Sequence, residues 1–230
     1  MLLRVSIASH IPQPILNKIL LVFPFLYRVK FISYESYIIE NNGVDDLLTY
    51  LDKVLSLDGD IIECGSGRCG SSIIMANYLK KRGINKKVYA CDTFAGFDPE
   101  ELQAERENSL TQAADNSLRH TSYEYVKKKI QRLGLSDYVI PVRGLFRDTL
   151  SLITCKFSFG FVDCDLKESI IYATETIWPK LSKNGIILFD DYTTDGFKGA
   201  KEAINFLVNK YGDEISGRGL LHRLYFIQKK

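Results

Sequence analysis

The sequence predicts an α/β fold, in which a mostly parallel sheet carries helices on both faces. From Asp60 onward, short apolar runs alternate with helical patterns, which is the signature of βα units and of strands buried on both sides. No internal repeat or low-complexity tract interrupts the alternation. A length of 230 residues suits one sizeable domain with an extension. The expected organisation is therefore a helical extension over 1–45 and one domain over 46–230.

The extension holds the most apolar segment, 15–32. Asn17, Lys18, Pro24, Arg28 and Lys30 break it well short of the roughly 18 clean apolar residues a spanning helix needs. It also lacks the small-residue cleavage site of a signal peptide. Three readings compete: a core or dimer-packing helix, a basic amphipathic helix lying on a membrane surface, or a disordered leader.

Strands are expected at 60–64, 87–92, 138–142, 157–163 and 186–190, each a short run rich in β-branched or aromatic residues. Helices are expected at 71–82, 122–133, 168–181 and 198–211, where apolar residues recur at three- and four-residue spacing among Lys and Glu. Ser71 and Ser122 suit helix starts, and Gly134 and Gly185 suit stops. The tail, 213–217 and 221–228, reads as a terminal hairpin on the sheet edge, with Gly217-Arg218-Gly219 as its turn. The polar stretch 98–122 is long for a connection inside a compact domain, so it is a lid or disordered, and a lid is the preferred reading.

Composition narrows the partners. The formal charge of +2 comes from 30 basic and 28 acidic residues that are mixed along the chain, so no single-sign field draws in nucleic acid. Cys64, Cys69, Cys91, Cys155 and Cys164 are odd in number and mostly sit in or beside apolar runs, which reads as reduced thiols in a cytoplasmic protein. The Cys64-to-Cys69 spacing is not a zinc pattern, and His10, His120 and His222 supply no second ligand pair.

After the first strand comes Glu63-Cys64-Gly65-Ser66-Gly67-Arg68-Cys69-Gly70, a G-x-G-x-x-G turn opening a helix. Dinucleotide sites use the same pattern. Glu63 separates the readings, because a carboxylate there repels a pyrophosphate but attracts a cationic ligand. S-adenosylmethionine carries an ammonium and a sulfonium and no phosphate, so the acid favours this methyl donor over NAD. A plainer reading has Glu63 capping the strand end or pairing with Arg68, with the glycines serving only a tight turn. Asp92 ends the second strand, where an acid accepts ribose hydroxyls, and Thr93 and Phe94 follow it, Phe94 lying against the nucleoside or in the core. Gly144, after the third strand, is expected to approach the adenine through its backbone, and Ser66 and Gly67 of the turn and Asp163 at the end of the fourth strand are also expected at the donor.

The fourth strand ends in Asp163-Cys164-Asp165 and the fifth in Asp190-Asp191-Tyr192, so four carboxylates meet at one edge of the sheet. Crowded carboxylates call for a cation, and a hard oxygen-liganded ion such as Mg²⁺ fits. Asp163, Asp190 and Asp191 are the expected ligands. Asp165 is the expected base for an acceptor hydroxyl, with Lys167 as a second candidate. The competing reading makes these aspartates ordinary turn formers at βα junctions.

Together the blocks IIECGSGRCGSS, VYACDTFAGF, VRGLFRDTL, FVDCDLKES and ILFDDY resemble the macrocin O-methyltransferase (TylF-like) family over roughly 35–210. The resemblance implies a Rossmann-like class I methyltransferase sheet of seven strands with the last reversed, an S-adenosylmethionine donor, Mg²⁺ dependence and a sugar hydroxyl as acceptor. By motif, Glu63, Gly65, Ser71 and Asp92 would hold the donor, Asp163, Asp190 and Asp191 the metal, and Asp165 would be the base. Three rivals remain at this level, one of them a donor-binding fold retained as a non-catalytic partner. A metal-dependent catechol or caffeoyl-type enzyme also places a lysine near such acids, as Lys167 does here. A nicotinamide-dependent oxidoreductase would need a hydride-site constellation such as a Tyr-x-x-x-Lys pair; that spacing occurs at Tyr123/Lys127, Tyr125/Lys129 and Tyr225/Lys229, so spacing alone leaves this rival open.

Overall fold

A computed structural model describes residues 43–119 and 121–230. The readings placed on 15–32, the membrane contact among them, lie outside the described residues. No helix among the described residues is long and apolar enough to cross a membrane.

The elements in chain order are α1 (Gly43–Lys53), β1 (Asp60–Cys64), α2 (Gly70–Lys81), β2 (Val88–Asp92), α3 (Pro99–Glu107), α4 (Tyr123–Arg132) and β3 (Val139–Arg143). Then come α5 (Phe146–Thr149), β4 (Phe157–Val162), α6 (Lys167–Ile177), β5 (Leu181–Phe189), α7 (Lys198–Lys210), β6 (Ile215–Leu220) and β7 (Tyr225–Lys229). They form one seven-stranded sheet in the order β3-β2-β1-β4-β5-β7-β6. β1 to β5 pair in parallel, and β7 alone runs against its neighbours β5 and β6.

The five inner strands are apolar on both sides because both sides are covered. Ile61, Phe159, Phe161, Ile186 and Leu188 face α1, α2 and α4, where Leu47, Leu51, Ile73, Leu79 and Ile130 meet them. Ile62, Val162, Ile187 and Phe189 face α6 and α7, against Ile170, Ile177, Ile204 and Leu207. Each such side chain contributes roughly 1.5–3 kcal/mol on burial. A two-sided core of this kind fixes the register, because a one-residue slip would exchange the two faces.

Several local expectations are corrected. Ser122 does cap α4, accepting from Tyr125 N at 3.2 Å. Ser71 is not a cap: α2 begins after Cys69, whose φ of 59° is left-handed, and the Ser71 hydroxyl turns inward to Glu63. Gly185 does not stop a helix. Pro179 follows the end of α6, where an amide-less residue cannot continue the helix, and Gly185 lies within β5. Gly217 and Gly219 are not the hairpin turn either, since both lie inside β6. A β-carbon on Gly219 would lie 3.3 Å from the Phe226 ring, so that glycine leaves room for the ring, and the turn falls at 221–224.

The chain runs outward from β1 to β3 and then returns to place β4 on the other side of β1. That reversal opens a crevice at the carboxyl ends of β1 and β4. Gly65 sits there with φ +90°, and a β-carbon on it would lie 1.8 Å from the Asp163 carbonyl oxygen. Gly67, with φ +48°, has nothing within 4 Å of such a position. Gly65→Ala is therefore expected to cost more than about 3 kcal/mol in chemical denaturation, and Gly67→Ala only about 1 kcal/mol. Equal losses would show that close packing at Gly65 is not the constraint.

Candidate functional site

The crevice is a cleft of about 1110 Å³. One side of it is the glycine turn. Gly65 N and Ser66 N donate to Cys91 O at 2.9 and 3.3 Å, tying the turn to β2. Gly67 N and Phe94 N donate to the two carboxylate oxygens of Asp92, at 2.9 and 2.6 Å. Burial raises the Asp92 pKa, against the effect of those amides. Beneath the turn, buried Lys129 of α4 donates to the Arg68 carbonyl. Nothing in the sequence marks that lysine, which looks like one more solvated charge in a basic helix.

Of the residues expected to hold the donor, Gly65, Ser66, Gly67, Ser71, Asp92, Thr93, Gly144 and Asp163 line the cleft. Two do not. Glu63 is fully buried below the turn and accepts hydrogen bonds from the Ser71 and Ser72 hydroxyls, so it faces those serines rather than the cleft. Its influence on a ligand is through its field and through Ser71, not through contact. Burial pushes its pKa up to about 7 despite the two serine hydrogen bonds. Phe94, 4% exposed, packs on Tyr123 with ring centroids 5.6 Å apart and belongs to the core. The aromatic rings at the cleft are instead Phe97, Phe146, Tyr172 and Phe197. The first and last of these are in mutual contact at 5.7 Å.

The opposite side is acidic. Asp163 N donates to Cys64 O at 2.8 Å and Asp190 N to Val162 O at 3.0 Å, so the sheet ladder itself carries both residues to the edge. Carboxylate oxygens of Asp163, Asp190 and Asp191 lie within 4.8 Å of one another. Asp165 and Asp191 both have left-handed backbones, with φ 63° and 60°, a conformation that is costly for a non-glycine residue and concentrates at functional sites. Burial, then the neighbouring carboxylates, hold Asp163 and Asp165 well above the usual carboxylate range. Asp191 is pushed up to about 7 by burial and by Asp190. An oxygen-only set of this kind suits a hard divalent cation.

Arg223, in the turn before β7, was not foreseen. Its Nε donates to Asp190 Oδ1 at 2.9 Å and its Nη2 to Oδ2. A separation of 33 residues hides this pair from any sequence pattern.

Lys167 is corrected as a candidate base. Its ammonium pairs with Glu202 at 2.8 Å outside the cleft, and that hydrogen bond raises its pKa, which keeps it protonated.

The 98–122 stretch is neither a plain loop nor structureless where described. Asp98 caps α3 by accepting from Glu100 N at 3.1 Å, and Pro99 opens the helix. Glu101 then accepts from Ser169 N and Oγ at 2.7 and 2.6 Å, and Glu105 from Lys167 N at 2.7 Å. Both acids thus serve the N-terminus of α6, which has no side-chain cap of its own. Asp98, Glu101, Ser117, Leu118 and Thr121 line the cleft.

Comparison with known proteins agrees with this geometry. A family profile described as macrocin O-methyltransferase (TylF) matches residues 37–211. The chain is 31% identical over 193 residues to the 8-demethyl-8-(2,3-dimethoxy-alpha-L-rhamnosyl)-tetracenomycin-C 4'-O-methyltransferase of Streptomyces olivaceus, a match covering 78% of this chain and 72% of that protein. It is 28% identical over 141 residues to demethyldecarbamoylnovobiocin O-methyltransferase of Streptomyces niveus, covering 60% and 54% respectively. Among solved structures, the O-methyltransferase NovP superposes with a TM-score of 0.68 at 22% identity, over 81% of this chain and 79% of that one. The calicheamicin methyltransferase CalS11 gives 0.66 at 18% identity, over 97% and 89%. At those identities the structural likeness is one of fold.

Because the folded pKa of Glu63 is raised, its contribution to stability is complete below about pH 4.5 and is lost as pH rises toward 7. Wild-type protein should lose up to about 3 kcal/mol from this group between pH 4.5 and 8. In Glu63→Gln that part of the slope should vanish, so the ligand-free variant gains on wild type as pH rises. Denaturation across that range checks it, and parallel curves would show that Glu63 does not titrate there.

Proposed function

The chain belongs to the macrocin O-methyltransferase family and is an S-adenosylmethionine-dependent O-methyltransferase, and from that premise we propose that it presents a sugar hydroxyl of a natural product to the donor on a Mg²⁺ ion. The observation that carries the metal part is the set of buried Asp190 and half-buried Asp163 and Asp191 with its oxygens within 4.8 Å. The sugar acceptor is supported by the activity of the tetracenomycin relative, a 4'-O-methyltransferase of a rhamnosyl-bearing compound. The pairing of Lys167 with Glu202 outside the cleft removes the feature that favoured a catechol-type enzyme.

Within this reading the glycine turn receives the donor. Gly67 leaves space where any side chain would intrude, Asp92 faces the ribose, and Gly144 and Thr93 close the nucleoside side. A ligand with positive charge would favour the ionised forms of Glu63, Asp92 and Asp163, an attraction that the pyrophosphate of a dinucleotide does not have.

Asp163, Asp190 and Asp191 would hold the ion. When bound, such a cation orients an acceptor hydroxyl and makes it more acidic. Asp165, hydrogen bonded to Asp191, receives the hydroxyl proton as the oxygen–carbon bond forms and the sulfur–carbon bond breaks. Burial and then the neighbouring acids raise the Asp165 pKa, and a cation among them would offset the acidic part of that shift and favour the ionised form that acts as a base. The helix α3 and the residues after it act as a lid that excludes water. All five cysteines are free, which suits the cytoplasm that this reading expects.

Two measurements test the assignment. S-adenosylhomocysteine should bind by calorimetry where NAD does not, and EDTA should abolish methyl transfer that Mg²⁺ restores. Asp191→Asn should lower turnover by at least about 100-fold while S-adenosylhomocysteine affinity stays within about threefold. A parallel collapse of donor affinity would refute the division into a donor side and an acceptor side.

A further inference from the structure

We propose that Arg223 is a built-in counter-cation and positioning residue for the divalent ion, which holds Asp190 in place and keeps the ion weakly bound. This rests on the metal reading above. Arg223 grips both oxygens of Asp190, a carboxylate that is 3% exposed at the end of β5. A guanidinium fork of this kind fixes the plane of its partner and stays charged under all conditions of interest.

Its own place is fixed in turn. Leu221 N donates to Leu224 O at 2.7 Å across the hairpin turn, His222 Nδ1 lies 3.1 Å from Asp46 of α1, and Tyr225 stacks on Tyr192 with centroids 4.5 Å apart. Arg223 also lines the cleft.

Two consequences follow from charge and from lone pairs. A carboxylate offers about four acceptor sites, so the two donors from Arg223 leave Asp190 with sites for an ion. The fixed positive charge beside Asp190 also opposes the arrival of a second cation. It lets the cluster fold without metal, and it lowers the affinity of the metal that later enters. An ion held in this way keeps ligand positions for the acceptor hydroxyl instead of being satisfied by protein alone.

Calorimetric titration of Mn²⁺ and Mg²⁺ into wild type, Arg223→Gln and Arg223→Lys tests the proposal, with melting in EDTA measured on each. Arg223→Gln should bind Mn²⁺ at least about tenfold tighter while melting lower in EDTA, and Arg223→Lys should keep an affinity within about threefold of wild type. S-adenosylhomocysteine binding checks that each variant is folded, and Arg223→Met serves if the Gln variant fails that check. A merely structural arginine would lower metal affinity and melting temperature together, so unchanged or weaker Mn²⁺ binding in the neutral variant overturns the proposal. If neither wild type nor the neutral variant binds either ion, the metal reading fails and this one with it. Binding confined to the neutral variant would support it.

Discussion

Mutual repulsion among buried carboxylates is the constraint around which this molecule is arranged. Asp163, Asp165, Asp190 and Asp191 are brought to one sheet edge and largely removed from water, and each of the first two is raised in pKa by burial and by its acidic neighbours. Such a cluster is stable only with protons or positive charge. The fold supplies one guanidinium, from Arg223, and burial with the acidic neighbours raises the pKa of Asp165 and Asp191 toward their protonated forms. A divalent ion would supply the rest, and the same negative surface welcomes a sulfonium.

The backbone enforces this crowding. Ladder hydrogen bonds from Asp163 and Asp190 carry the strands one residue past their ends, and left-handed conformations at Asp165 and Asp191 then hold the next acids at the cleft. Gly65 allows the glycine turn to lie against the Asp163 carbonyl, so the turn and the acidic edge share a wall. Placing reacting groups that closely depends on a rigid frame, and the two-sided core of the sheet provides it.

The helix α3 is coupled to the same edge. Glu101 and Glu105 of α3 cap α6, whose first turn follows directly from the Asp163-Cys164-Asp165 loop. Any displacement of α3 would expose the N-terminal amides of α6, which links the position of α3 to the helix behind the acids.

The sequence by itself determined the βα alternation, the five parallel strands, the glycine turn and the acid pairs at strand ends, because each depends on local periodicity or on contiguous residues. Asp163, Asp190, Asp191, Asp92 and the glycines were legible for that reason, since a strand end tells where its next residue must go. The inward turn of Glu63, the burial of Phe94, the diversion of Lys167 to Glu202 and the grip of Arg223 on Asp190 were decided only by the tertiary structure. Those outcomes hinge on which distant side chain arrives first within hydrogen-bonding reach. A long, flexible or charged side chain takes its partner from the packing of elements far apart in the chain, and no spacing rule records that choice.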